Sequence, residues 1–364
     1  MKKLMLLSAI ILNGLMICSA EKITVDNTPG SAAQHATMVA AIGAANPGDT
    51  IFVYGSSYDY GGITVNKQLV IIGSAGVDPE VTNENTPSLT SISLTTGSSG
   101  TVISGFKIGF VSNNQATVNN IGIYNNYFNS GSVNIQFYYC VASDWVIEGN
   151  VFQSSGGYTF DNYGNGSTLN NILVKNNYVE MLSYYYYVFN YNNSAFTYRN
   201  NVFVIRSDSG YFPFNASSNV LFENNIFWII NAAIVDISNQ QCASCVFNNN
   251  IIYNAGGGTM TAINLIGNGV SGNNNLLNQD PQFLSFVQDN NYTIAENYKI
   301  QDASPGNNAG TDGSDIGLFG GNYNWENRKY PKAFPHQEVL NVINGSVPQG
   351  TPVNINLKAR KATN

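Results

Sequence analysis

Ile123-Tyr-Asn-Asn126-Tyr-Phe128 opens a series that returns as Ile147-Glu-Gly-Asn150-Val-Phe152, Val174-Lys-Asn-Asn177-Tyr-Val179, Tyr198-Arg-Asn-Asn201-Val-Phe203, Phe222-Glu-Asn-Asn225-Ile-Phe227, Phe247-Asn-Asn-Asn250-Ile-Ile252 and, more loosely, Gly272-Asn-Asn-Asn275-Leu-Leu277. Aligned on Asn126, Asn150, Asn177, Asn201, Asn225, Asn250 and Asn274, the phrases recur at intervals of 24, 27, 24, 24, 25 and 24 residues. Self-similarity at such a period marks stacked repeats. Apolar residues alternate on either side of the asparagine, so each repeat carries a strand, a corner and a second strand. Asparagine suits that corner because it tolerates left-handed backbone angles, and its amide can donate to one neighbouring copy while accepting from the other. The seven asparagines are therefore expected to form an internal ladder, with coils at the ordinary strand spacing of about 4.8 Å.

Two solenoids share this period, since a leucine-rich repeat also places an asparagine after alternating apolar residues. The rest of each unit separates them. A leucine-rich repeat needs leucines there at helical spacing. This chain has Ser132-Val-Asn-Ile-Gln-Phe-Tyr-Tyr139, Ala232-Ala-Ile-Val-Asp-Ile237 and Thr259-Met-Thr-Ala-Ile-Asn-Leu265. These are further strands between Gly and Ser corners. The sequence predicts an all-β chain folded as a parallel β-helix.

Outward from the repeats, Ser31 to Ala45 carries a capping Ser31, an apolar helical stripe and a stop at Asn46-Pro-Gly48. A solenoid exposes its terminal coil, and this helix is expected to cap it. Asp49-Thr-Ile-Phe-Val-Tyr54, Gly62-Ile-Thr-Val65 and Gln68-Leu-Val-Ile-Ile-Gly73 follow as short strands. With its helix, Pro-Gly-Asp-Thr-Ile, Gly-Tyr turn and strand ending in Gly, this segment resembles the first coil of secreted right-handed β-helix proteins of the pectin-lyase-like superfamily. The resemblance extends from Ala32 to about Gly321 and implies a right-handed coil. The superfamily's Asn-Thr-Asp, paired-Asp and Arg-His-Gly motifs are missing, so the resemblance carries no catalytic residue across. Asp280-Pro-Gln-Phe283, Ser304-Pro-Gly-Asn-Asn-Ala-Gly310 and Asp315-Ile-Gly-Leu-Phe-Gly320 resemble the closing segment of such proteins and are expected to build terminal coils. Residues 322–364 form a tail whose runs Val339-Leu-Asn-Val-Ile343 and Val353-Asn-Ile-Asn-Leu357 read as strands, packed along the last coils or displayed to a partner.

Residues 1–20, with Lys2, Lys3, an apolar core and Cys18-Ser-Ala20, read as a secretory signal. The β-helix domain then spans 21–321. No later apolar run reaches the length of a membrane span, and an exported protein is expected, periplasmic, cell-surface or extracellular. Without Lys2 and Lys3 the chain has 13 basic residues against 22 acidic ones, a net charge of −9. Such a surface disfavours nucleic acid and anionic membranes. Cys140 lies four coils from Cys242 and Cys245, and the only histidines are His35 and His336, so zinc is not expected. Buried thiols, with one local Cys242–Cys245 disulfide, fit better. No cofactor is expected; Asp312 and Asp315 are the weak candidates for calcium.

Residues one period apart stack, so chemistry can be sought by column. Two places before the ladder asparagine stand Tyr124, Glu148, Lys175, Arg199, Glu223 and Asn248, facing outward. Lys175 over Arg199 is either a cationic step for proton abstraction beside a uronate or part of a charge-cancelling Glu-Lys-Arg-Glu ladder. Paired acids for glycoside hydrolysis are missing from these columns, because Glu148 and Glu223, and also Asp161 and Asp236, are three coils apart. Tyrosines crowd the second half of four successive coils: Tyr138 and Tyr139, Tyr158 and Tyr163, Tyr184 to Tyr187 with Tyr191, then Tyr211. Four consecutive tyrosines cannot all point inward. A binding site is expected on Tyr158, Tyr184, Tyr186 and Tyr211, with Arg206 and Asp208 as polar partners, and with a polysaccharide or cell-surface glycan as its ligand. The leading expectation is a non-catalytic glycan-binding or cell-surface interaction module, and the alternative is a polysaccharide lyase or glycoside hydrolase.

Overall fold

Strands with alternate apolar residues bury one row of side chains only if the same row recurs in the strand above. The repeats meet this condition. The structure, a computed structural model, describes residues 20–361 except 75–85, 130, 155, 164–165, 182–186, 206–212, 231–241, 257–269, 287–295, 322, 324, 326–334 and 343–354. It is a parallel β-solenoid. One sheet stacks Lys22–Val25, Thr50–Val53, Val70–Gly73, Val102–Ser104, Gly122–Tyr124, Val141–Glu148, Thr168–Lys175, Phe196–Arg199, Leu221–Glu223 and Val246–Asn248. Its inner row runs in register through Ile147, Val174, Tyr198, Phe222 and Phe247, all fully buried. Tyr198 and Phe222 stack at 5.1 Å and Phe222 and Phe247 at 4.6 Å.

Past the asparagine corner a second strip begins: Tyr127–Phe128, Val151–Ser154, Tyr178–Met181, Val202–Ile205, Ile226–Ile229, Ile251–Asn254 and Leu276–Leu277. A third strip holds Ile135–Tyr138, Tyr158–Asn162, Tyr187–Asn190 and Phe214–Asn215. The long strand Lys107–Asn114 pairs with the second strip through its first residues and with the third through its last.

The corner divides two roles between adjacent residues. Asn125, Gly149, Asn176, Asn200, Asn224, Asn249 and Asn274 take the left-handed turn, with φ between +51° and +71°. The residue after each makes the ladder. The backbone N–H and side-chain amide of Asn150 both donate to Asn177 Oδ1, at 2.9 and 3.0 Å, and Asn177 repeats this onto Asn201. Each ladder amide also donates to a carbonyl of the previous coil, as Asn177 does to Ile147. The seventh rung is Asn275 rather than Asn274: Asn250 donates to Asn275 Oδ1, while Asn274 occupies the turn. In Asn273-Asn-Asn275 residue type could not show which asparagine turns.

The helix is Met38–Ala44, with Thr37 rather than Ser31 as its N-cap, accepting from the Ala40 N–H. Earlier residues are held elsewhere, Ser31 donating to Asp26 and His35 bridging Val25. Met38, Ala41 and Ile42 enter the solenoid core. Cys242 and Cys245 form a disulfide, and Cys140 is a buried free thiol.

Residues 304–321, with Tyr323 and Trp325, build no terminal coil among the described residues. They run back along the outside of the stack on the turn asparagines. Asn249 donates to Ala309 O, Asn224 to Thr311 Oγ1, Asn200 to Asp315 O, Asn176 to Leu318 O and Gly320 O, and Tyr323 reaches Asn125. A Cβ at Gly149 would crowd the Tyr323 hydroxyl and Asn125 Oδ1, so a side chain there would have to push these groups aside where the strap crosses. Under it lies a second core in which Tyr178, Val202, Ile226 and Ile251 of the second strip meet Tyr298, Ile316 and Leu318. The two strand-like runs of the tail pair with each other as an antiparallel hairpin, Pro335–Val342 with Ile355–Lys361.

Candidate functional site

On the third strip the inward residues are Ile135, Phe160, Phe189 and Phe214, whose side chains fill the core. The neighbours one place on form a polar row in register: Gln136, Asp161, Asn190 and Asn215. Gln136 Nε2 donates to Asp161 at 3.0 Å, Asn190 Nδ2 donates to its other oxygen at 2.7 Å, and Asn215 donates to Asn190 Oδ1 at 2.6 Å. Asp161 is only 1% exposed. Burial pushes its carboxyl above the ordinary value, against the pull of the Gln136 and Asn190 hydrogen bonds.

Tyrosines surround this row. Val188 and Phe189 both lie in the core, leaving Tyr187 half-buried at the start of the strand and Asn190 buried within the polar row. Tyr158 and Tyr187 are in register, with rings 6.3 Å apart and nearly parallel at 14°. Burial raises the Tyr158 phenol, and so do the Asp161 carboxylate and the phenols of Tyr187, Tyr191 and Tyr163. Further along the same edge, Tyr138 packs against Tyr163 at 4.7 Å and Tyr139 at 4.9 Å. Tyr139 and Tyr163 are 53% and 45% exposed.

Two of these tyrosines occupy a costly backbone. Tyr139 has φ +45° and Tyr191 φ +52°. The left-handed region costs an ordinary residue roughly 1–2 kcal/mol, and the Asn corners of this chain show the cheaper choice. Bulky residues held in such a region cluster at binding sites.

Of the residues expected from sequence, Tyr158 lies on this surface. Tyr184, Tyr186, Arg206, Asp208 and Tyr211 fall outside the described residues, as does Asp236. The sequence reading did not select Tyr187 and Tyr191 as site residues or recognise the polar row. The signal was present in the polar residues spaced 25, 29 and 25 apart at Gln136, Asp161, Asn190 and Asn215.

Lys175 and Arg199 stand in register on the opposite sheet, each with an acid of an adjacent coil. Lys175 Nζ lies 3.1 Å from Glu148, and Arg199 forms two hydrogen bonds to Glu223 Oε2. Arg199 also faces the strap. Burial raises Asp312, but hydrogen bonds from Ser314 and the Arg199 charge hold its carboxyl below the ordinary value. Asp312 and Asp315 brace their own turn, accepting from Ser314 and Asn308 respectively. Among the described residues no three His, Cys, Asp or Glu side chains converge as a metal set, and no helix is long and apolar enough to cross a membrane. No protein-family model and no curated protein matches the chain.

Proposed function

We propose that the protein is an exported β-helix module that binds a glycan on the tyrosine face of its third strip. The observation that carries this reading is the placement of Tyr139 and Tyr191 at left-handed corners beside the parallel Tyr158–Tyr187 pair. Flat aromatic faces suit the apolar faces of sugar rings, and Gln136 and Asn215, half-buried at the two ends of the polar row, supply hydrogen-bonding groups alongside. Sugar units spaced along a chain match a surface whose elements repeat coil by coil.

Export is supported by the sequence of residues 1–20 and by the Cys242–Cys245 disulfide, a bond suited to oxidising compartments. A right-handed coil agrees with the strong preference of parallel crossovers and with the resemblance to pectin-lyase-like proteins. The Met38–Ala44 helix, with Met38, Ala41 and Ile42 in the core, is read as the cap of the first coil.

The test is incubation of the mature protein with a panel of neutral and acidic polysaccharides, following retention and the ultraviolet absorbance of unsaturated ends. Retention without product is the expected result. Unsaturated product abolished by Lys175→Ala or Arg199→Ala would replace this reading with a lyase.

A further inference from the structure

A second concave surface lies at the far end of the stack, between the outer face of the second strip and the hairpin Phe283–Ser285/Asn297–Ile300. It encloses about 450 Å³, within the range of small-ligand sites. Its aromatic wall is Trp228, Tyr253 and Phe286, from adjacent coils and the hairpin. Asp280, Gln282 and Gln301 border the same space.

Trp228 lies 5.1 Å from Tyr253, 5.4 Å from Phe283 and 4.8 Å from Phe286, so the rings pack against one another as a continuous wall. The remaining half-buried faces of Tyr253 and Phe286 offer a flat apolar surface. The polar groups then decide the ligand. Asp280 Oδ1 accepts from the Gln282 N–H at 2.7 Å, while Asp280 Oδ2, the Gln282 amide and Gln301 Oε1 have no partner among the described residues. Trp228 is 7% exposed, and its indole N–H is buried without an acceptor. With no accessible surface on that N–H, the indole meets a ligand through its ring alone. Among the described residues no lysine or arginine lines the groove, and a carboxylate does, which opposes an anionic sugar.

We infer that this groove is a second glycan subsite, taking a neutral sugar residue that stacks on Tyr253 and Phe286 and hydrogen-bonds Asp280, Gln282 and Gln301. It rests on the reading of the protein as a glycan binder but uses none of the residues of the tyrosine face.

Tryptophan emission separates the two sites. Of the three tryptophans, Trp145 is sealed in the core and Trp325 is buried, so a ligand in the groove reports through Trp228. Cello-, xylo-, manno- and maltohexaose would be titrated against hexagalacturonate, with emission and calorimetry recorded together. The expected result is a saturable emission change with a neutral hexaose and not with the acidic one. It should vanish in Trp228→Phe, weaken about tenfold or more in Tyr253→Ala and Asp280→Asn, and persist in Tyr158→Ala/Tyr187→Ala. Calorimetric binding that needs Tyr158 and Tyr187 but gives no emission change would overturn the groove and leave the tyrosine face standing. An emission change abolished by the Tyr158→Ala/Tyr187→Ala pair would also overturn it. Binding of no oligosaccharide would overturn both sites.

Discussion

Asn177 points into the solenoid, where its amide joins Asn150 and Asn201 and reaches the Ile147 carbonyl, whereas Asn176, one residue earlier, holds φ +51° and reaches outward to the Leu318 and Gly320 carbonyls. The same residue type repeats side by side through most of the coils for two different physical reasons. The inner column satisfies buried backbone groups that water cannot reach. The outer column makes the turn and offers its side chains as a rail for the strap from Ala309 to Gly320 and for Tyr323. The tyrosine corners at Tyr139 and Tyr191 show what happens when a left-handed position is given to a residue that gains nothing from the turn.

The largest separation between the columns should come from alanine. Asn177→Ala removes the acceptor of the Asn150 backbone N–H and the donor to Ile147 O, both inside the stack. Unpaired buried groups cost roughly 1–3 kcal/mol each, so a loss of about 4 kcal/mol is expected in urea unfolding. Asn176→Ala loses two bonds to the strap and places alanine at a left-handed angle, for about 2 kcal/mol. Asn176→Gly recovers the angle and should cost about 1 kcal/mol. Equal losses for Asn176→Ala and Asn177→Ala would erase the distinction.

A smaller effect concerns the third strip, where the stacked polar row includes a charge. Burial raises the Asp161 carboxyl above its ordinary value of 3.8, so its neutral form is favoured by folding. That contribution is fully present below pH 3.8 and fades as the pH rises through the shifted value. Stability measured from pH 3.5 upward should therefore fall less steeply in Asp161→Asn than in the parent. Parallel slopes would mean that Asp161 titrates as it does in the unfolded chain.

The fold was legible because a period near 24 with alternating strands has few physical solutions, and Asn126, Asn150, Asn177, Asn201, Asn225 and Asn250 are the rungs. Asn274 was misassigned because adjacent asparagines look alike, and only backbone angle separates the turn from the rung. The strap had a signal that alternation alone could not interpret. Tyr178, Val202, Ile226 and Ile251 face outward yet are apolar, which calls for a cover, but nothing local in the sequence says which segment supplies it. The candidate site was legible in part. Tyr158 was expected on this surface, whereas the 27-residue interval between Asn150 and Asn177 hid the register that brings Tyr187 beside it. Left-handed angles at Tyr139 and Tyr191 belong to the coil geometry and leave no mark on residue type.

The most direct measurement sets binding against stability in one variant. Tyr158→Ala/Tyr187→Ala removes a half-buried stacked pair whose contact contributes about 1 kcal/mol beyond the area it buries, so the urea midpoint should fall while the variant stays folded. Retention on whichever polysaccharide of the panel holds the parent protein should be lost or fall at least about tenfold, the equivalent of 1.4 kcal/mol. Undiminished retention in the folded variant would contradict a glycan site on the tyrosine face.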